Sequence, residues 1–144
     1  MASPHAPIVV DTNILFSALL RNETRFAAIL KRPEREFVIC ESILVELFRH
    51  KEKILASSDL GEEDVLHLFY DLLRALHVRK EDAILPHHRE KAFELCRDVD
   101  PADAPVVALA LSLDAYLWTG DRRLRRGLQA RGFDRFYDPG QDIG

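Results

Sequence analysis

Four carboxylates occupy places where a folded chain could use them for chemistry. Asp11 follows Ile8-Val9-Val10 directly, and Asp121 follows Tyr116-Leu117-Trp118-Thr119-Gly120. Both read as acids at the carboxyl ends of strands, the edge at which open α/β sheets bind ligands. Asp103 stands two residues before Pro105, which suits a first helical turn and pushes Ala104 out of helical dihedrals. A helix is therefore predicted to begin near Ala104, with Asp103 held where the helix dipole favours an ionised carboxylate. Glu46 lies three residues after Ile43 and beside Leu47, at the margin of an apolar stripe that also takes in Leu44, Phe48, Ile54 and Leu55. It is expected to be drawn partly toward the core, where it needs a partner. Converging on one rim, the four would repel one another without a cation. Hard oxygen donors with no nearby Cys or His favour Mg²⁺ or Mn²⁺ over zinc. Such a site suits phosphodiester hydrolysis.

Each acid also has a plainer reading. Asp121 before Arg122-Arg123-Leu124, and Asp103 before its apolar run, both read as helix caps. Asp11-Thr12-Asn13 reads as an Asx-type turn, although it runs straight into an apolar helix. Glu46 alone reads as a rim salt bridge. Only the combination carries the chemical argument.

Alternating short apolar runs and helical periods must position these residues. Strands are predicted at Ile8–Asp11, Phe37–Cys40 and Ala115–Thr119, with weaker signals at Leu76–Arg79 and Arg135–Tyr137. Helices are predicted at Asn13–Arg21, Thr24–Lys31, Ser42–Ala56, Glu62–Leu76, His87–Arg97, Pro105–Leu113 and Arg122–Ala130. Pro105–Leu113 is apolar nearly all round and should be buried. The order implies βαβ units: an α/β fold with a mostly parallel central sheet.

The 144 residues correspond to one domain, with Met1–Pro7 and Asp138–Gly144 as loose ends and an ordered core over about residues 8–137. A 47% hydrophobic fraction suffices for one sizeable core, and 31% charged residues make an ordinary soluble surface. No window is long and apolar enough to span a membrane, and Asp11 interrupts the only signal-like run. Two cysteines, Cys40 and Cys96, without CxxC or CxxH spacing, exclude a disulfide framework or a zinc knuckle and point to the reducing cytoplasm. A net charge of −4 argues against coating DNA by bulk charge.

At these residues the chain resembles the PIN-domain family, the nuclease fold of VapC-type toxins. The resemblance rests on Val9-Val10-Asp11-Thr12-Asn13-Ile14-Leu15, Ser42-Ile43-Leu44-Val45-Glu46-Leu47, Asp100-Pro101-Ala102-Asp103-Ala104-Pro105-Val106-Val107-Ala108-Leu109-Ala110 and Leu117-Trp118-Thr119-Gly120-Asp121. It covers roughly Ile8 to Tyr137, in the family's order. It implies a three-layer α/β/α fold and a metal-dependent endoribonuclease acting on RNA, the toxin of a toxin–antitoxin system. It further implies a homodimer and a cognate antitoxin as partner. By motif, Asp11 carries over as the central metal ligand, and Glu46, Asp103 and Asp121 as the accompanying acids. Asn13 and Thr119 carry over as groups that orient carboxylates. Asp100 and Asp103 compete for one role. Asp103 keeps the family's distance to the apolar helix, leaving Asp100 as a supporting acid or cap.

Other features are plainer. His87-His88 are adjacent, share no helical face and read as a surface helix start. Cys40 reads as core, Glu62-Glu63-Asp64 as acidic decoration of a helix start, and Glu41 as part of a solvated loop. The basic stretch is less ordinary: Arg122, Arg123, Arg125, Arg126, Arg131 and Arg135 crowd together with Asp134 as the only acid among them. Arg122, Arg123 and Arg126 are predicted to hold an RNA backbone, because guanidinium groups match phosphate bidentately.

Four rival readings stand beside the nuclease. A phosphorelay receiver wants paired acids at the first strand end, and a haloacid-dehalogenase-type phosphatase wants Asp where Asn13 stands. A DNA-cleaving flap-nuclease relative usually carries more acids and a longer chain. The strongest rival is a non-catalytic PIN-like module that binds RNA or a partner.

Overall fold

A computed structural model describes residues 5–20 and 24–141. Four strands, β1 (Ile8–Val10), β2 (Phe37–Cys40), β3 (His77–Arg79) and β4 (Tyr116–Trp118), form one sheet in the order β3-β2-β1-β4. Every pairing is parallel, with Val9 opposite Val38 and Leu117, and Cys40 opposite Arg79. Among the described residues eight α-helices accompany them: α1 (Thr12–Leu20), α2 (Thr24–Leu30), α3 (Glu41–Arg49), α4 (Lys51–Ser57), α5 (Glu62–Ala75), α6 (Pro86–Cys96), α7 (Ala104–Ser112) and α8 (Arg122–Ala130). The fold is a three-layer α/β/α arrangement.

The sequence explains the layers. β1 and β2 are continuous β-branched or apolar runs, buried on both faces as inner parallel strands require. α7, apolar almost all round, packs against β1, β2 and α6, while α1 packs against α2, α4 and α5. β3 lies at an edge with all three residues exposed. The parallel order sends every strand's carboxyl end to the same rim, so Asp11 and the Thr119–Asp121 turn arrive side by side.

The predicted elements are present, with corrections. Arg21 lies outside the described residues. Ser42–Ala56 is not one helix but α3 and α4, broken at His50 (φ −103°). The break lets α3 lie on β2 while α4 packs on α1, and the His50 ring sits 6.3 Å from that of Phe16. No Pro or Gly marks this break. Glu41 is the first residue of α3 rather than loop, though exposed. Arg135–Tyr137 contributes a single parallel bridge, Phe136 to Leu117, rather than a strand. Asp138 is not loose: it accepts two hydrogen bonds from Arg125, at 2.8 and 3.0 Å.

One contact on the far side of α8 is unusually close. A Cβ built on Gly127 would lie 2.2 Å from Cγ2 of Val99, so only glycine lets the helix settle against that turn.

Candidate active site

Asp11 is the one charged residue buried among the described residues, with 5% of its surface exposed. Its Oδ1 accepts from the Thr12 amide at 2.8 Å. Its Oδ2 accepts from Thr119 Oγ1 at 2.8 Å and from Asn13 Nδ2 at 3.1 Å. Thr119 Oγ1 in turn accepts from the Asp121 amide at 3.1 Å, and Asn13 Oδ1 accepts from the Gly120 amide at 2.9 Å. Asn13 and Thr119 thus tie the end of β1 to the end of β4 and fix the Asp11 carboxylate between them. Burial pushes the Asp11 carboxyl upward, opposed by the hydrogen bonds from Thr119 and Thr12, and the charge of Asp121 raises it further.

Asp121 caps α8: its Oδ1 accepts from the Arg123 and Leu124 amides at 3.0 and 3.1 Å. The cap reading therefore holds for this residue, but both bonds fall on one oxygen. No hydrogen bond among the described residues engages Oδ2.

Asp103 precedes α7 as predicted but caps nothing. A 3₁₀ turn (Pro101–Asp103) runs into the helix, so Asp103 has helical dihedrals (φ −85°, ψ −4°) and makes no capping bond. Asp100 takes the capping task instead, its Oδ1 accepting from the Ala102 amide at 3.0 Å, and it is exposed. The Asp103 carboxyl is pushed up from 3.8 to about 7, first by burial and then by the charges of Asp11, Asp100, Asp121 and Glu46. These charges act on one group, so the structure brings all five acids into one electrostatic neighbourhood. Below this rim, burial pushes the thiols of Cys40 and Cys96 up to about 12, and the charge of Asp11 adds to both.

Glu46 corrects a prediction. It is exposed and its side chain has neither a hydrogen bond nor an ion pair among the described residues, so it is not drawn into the core. Because α3 stops at Arg49, only Ile43 and Leu47 face inward; Val45 and Phe48 stand 49% and 57% exposed. Phe48 meets Phe69 of α5 edge-on at 5.7 Å.

The arginines divide into two sets. Arg125 is paired with Asp138, Arg131 with Asp98 and Arg135 with Asp114. Arg122, Arg123 and Arg126 are exposed and, among the described residues, paired with no carboxylate. They ride on the first half of the helix that Asp121 caps. His87 and His88 open α6, as expected of a surface helix start.

Sequence reasoning gave Glu81 no role. In the structure its Oε1 accepts from the Ser42 amide at 2.9 Å, at the start of α3. The signal was in the strand register, since Glu81 and Ser42 each lie two residues past the pair Arg79 and Cys40.

A divalent cation fits the chemistry of this donor set: carboxylate oxygens, a raised acid titration for positive charge to reverse, and neither cysteine placed as a thiolate. As the side chains stand, no three His, Cys, Asp or Glu residues among those described are close enough to enclose an ion.

Comparison with known proteins gives the same frame. The model of the PIN domain matches residues 9–137, and the chain belongs to the PIN-domain family. Proteins of this family are generally nucleases, and they generally bind divalent metal ions. Among solved structures, the chain is similar to PAE2754 from Pyrobaculum aerophilum. That match has a TM-score of 0.59 and 16% identity, and covers 88% of this chain and 87% of the other. At that identity the likeness is one of fold. No curated protein matches the sequence. No helix among the described residues is long and apolar enough to cross a membrane.

Proposed function

We propose that the protein is a Mg²⁺- or Mn²⁺-dependent endoribonuclease, the toxin component of a toxin–antitoxin pair in the reducing cytoplasm. One domain over residues 8–137 would carry the chemistry. The observation that carries the reading is the electrostatic crowding of Asp11, Glu46, Asp103 and Asp121 beside three unpaired arginines. Asp11, Asp103, Asp121 and Glu46 would hold the metal, which when bound supplies the charge that acidifies an attacking water and offsets developing negative charge on phosphate. Thr119 and Asn13 aim the Asp11 carboxylate and favour its ionised form, opposing the upward push of burial. Arg122, Arg123 and Arg126 hold the phosphate backbone, positioning the strand without reading its bases.

Self-association into a homodimer is supported by Phe48 and Leu66, exposed apolar residues that line one surface cleft between α3 and α5. An antitoxin is the partner this reading requires, and co-purification with the product of an adjacent small reading frame tests it. A second reading, a PIN-like module that binds RNA or a partner without cutting, is favoured by the carboxylates not standing close enough to enclose an ion.

Purified protein incubated with single-stranded RNA or DNA in Mg²⁺, Mn²⁺ or EDTA separates these. RNA cleavage abolished by EDTA supports the nuclease, and binding without cleavage supports the second reading. The arginine track has its own test. Replacing Arg122, Arg123 and Arg126 together with alanine should weaken RNA binding for all sequences and flatten the slope of log affinity against log salt by about 2, at about 0.7 per contact. An unchanged slope with lost self-association would assign these arginines to a protein contact.

A further inference from the structure

Helix α3 carries Glu46 but has no cap of its own. Its N-cap residue is Cys40, whose side chain makes no capping bond, and the helix is only nine residues long before the break at His50. The first four amides of such a helix are orphan donors that something else must satisfy, and that of Ser42 is the second of them. Here the satisfying group comes from another strand. Parallel pairing sets Cys40 opposite Arg79, so two residues further on Glu81 reaches Ser42 and its Oε1 accepts from the Ser42 amide at 2.9 Å. A carboxylate there also complements the positive end of the helix dipole. Ser42 and Glu46 are four apart, so the bond lies one turn below Glu46 on the same helix face.

The group that supplies this cap is itself held. Glu81 opens the 3₁₀ turn Glu81–Ala83, which is closed by the Ile84 amide donating to the Glu81 carbonyl at 3.1 Å. Arg89, on α6, clamps that turn from outside. Its Nε donates to the Ile84 carbonyl at 2.9 Å and a terminal nitrogen donates to the Asp82 carbonyl at 3.1 Å. A chain of contacts therefore runs from α6, through the turn, to the start of α3.

We propose that Glu81 is a positioning residue: by capping α3 from the end of β3, with Arg89 bracing its turn, it sets where Glu46 stands relative to Asp11, Asp103 and Asp121. The inference rests on the metal-dependent nuclease reading for what Glu46 does there, and on hydrogen-bond geometry alone for how Glu81 acts. The Glu46 side chain has no hydrogen bond or ion pair among the described residues, so its position is whatever α3 gives it. Glu81 acts on Glu46 through the helix and is not itself placed among the reacting groups.

The test compares Glu81→Ala, Glu81→Gln, Glu46→Ala and the double variant Glu81→Ala/Glu46→Ala by three measurements. These are amide hydrogen exchange, Mg²⁺ titration calorimetry and Mg²⁺-dependent RNA cleavage. Glu81→Ala should speed exchange at the Ser42 amide about tenfold or more and weaken Mg²⁺ binding about tenfold, with RNA affinity in EDTA unchanged. Glu81→Gln retains an acceptor oxygen and should recover most of both losses. The double variant should bind Mg²⁺ no more weakly than Glu46→Ala alone, because both changes act through the same carboxylate. Additive losses in the double variant, or Mg²⁺ binding untouched by Glu81→Ala, would overturn the inference while leaving the nuclease reading in place. Wild-type protein that neither binds Mg²⁺ nor cleaves RNA overturns that reading and the role given to Glu46. Faster Ser42 exchange in Glu81→Ala would then leave the cap alone standing.

Discussion

The two halves of the candidate site are built differently. On the β1–β4 side, Asp11 is buried and held by three hydrogen bonds, two of them from Thr119 and Asn13, which also grip the Asp121 turn. On the β2–β3 side, Glu46 stands exposed on a short helix beside outward-facing Val45 and Phe48. The first half is organised by the fold before anything binds. The second depends on helix placement: among the described residues the Glu46 side chain has no bond of its own, and Glu81 at the start of α3 ties the helix down. Organisation in advance lowers the cost of assembling a charged site, so the two halves should respond unequally to damage.

The largest effect is expected at Asp11. Asp11→Asn keeps the shape but removes the charge, and RNA cleavage should fall on the order of 10³-fold, measured under single-turnover conditions with saturating Mg²⁺. Full activity in this variant would place the chemistry elsewhere. Thr119→Val deletes the bond that aims the carboxylate and should cost roughly 10- to 100-fold in Mg²⁺ affinity. Glu46→Gln, at the less organised half, should cost less than Thr119→Val. If it costs more, the comparison between the halves is inverted.

The next expectation concerns pH. The Asp103 carboxyl is raised in the fold from 3.8 to about 7, so the folded state holds its proton more tightly than the unfolded chain does. The stability from this protonated form is complete below pH 4 and is lost as pH rises through 7. A cation must displace the same proton. Thermal unfolding should therefore show Mg²⁺ raising Tm more at pH 8 than at pH 5.5, and Asp103→Asn should stabilise the metal-free protein at pH 8 while abolishing the Mg²⁺ response. Equal Mg²⁺ effects at both pH values would contradict this.

The smallest effect belongs to Asp100. It is exposed and caps only a 3₁₀ turn, so Asp100→Asn should leave activity within about twofold and cost at most about 1 kcal/mol of stability by chemical denaturation. A loss there as large as that of Asp103→Asn would move the functional acid one turn upstream.

Much of the β1–β4 half was legible in the sequence. Strand, acid, strand, Thr-Gly and acid are local patterns, and the parallel order of a βαβ chain forces their ends together. The α3 side was less so. Glu46 was read from a stripe continuing through Phe48 to Leu55, but the bend at His50 has no Gly or Pro to announce it and answers to packing on both β2 and α1. Asp103 was expected at a helix start and is there. That its capping task falls to Asp100 depends on one 3₁₀ turn, below the resolution of periodicity. The cap from Glu81 is a cross-strand effect that only strand register exposes. The division of the arginines turned on where Asp98, Asp114 and Asp138 fall in space.

Gly127 makes α8 work as a lever. The helix rests on Val99 near its midpoint, with Asp121 and the unpaired arginines on one arm. Val99 itself begins the short run to Asp103, so the fulcrum joins the two segments that carry these acids. A single methyl group at position 127 would meet a Val99 methyl at 2.2 Å, so the Val99 side chain must turn aside or the beam must tilt. A tilt would change the gap between Asp121 and Asp103 from a point that touches neither.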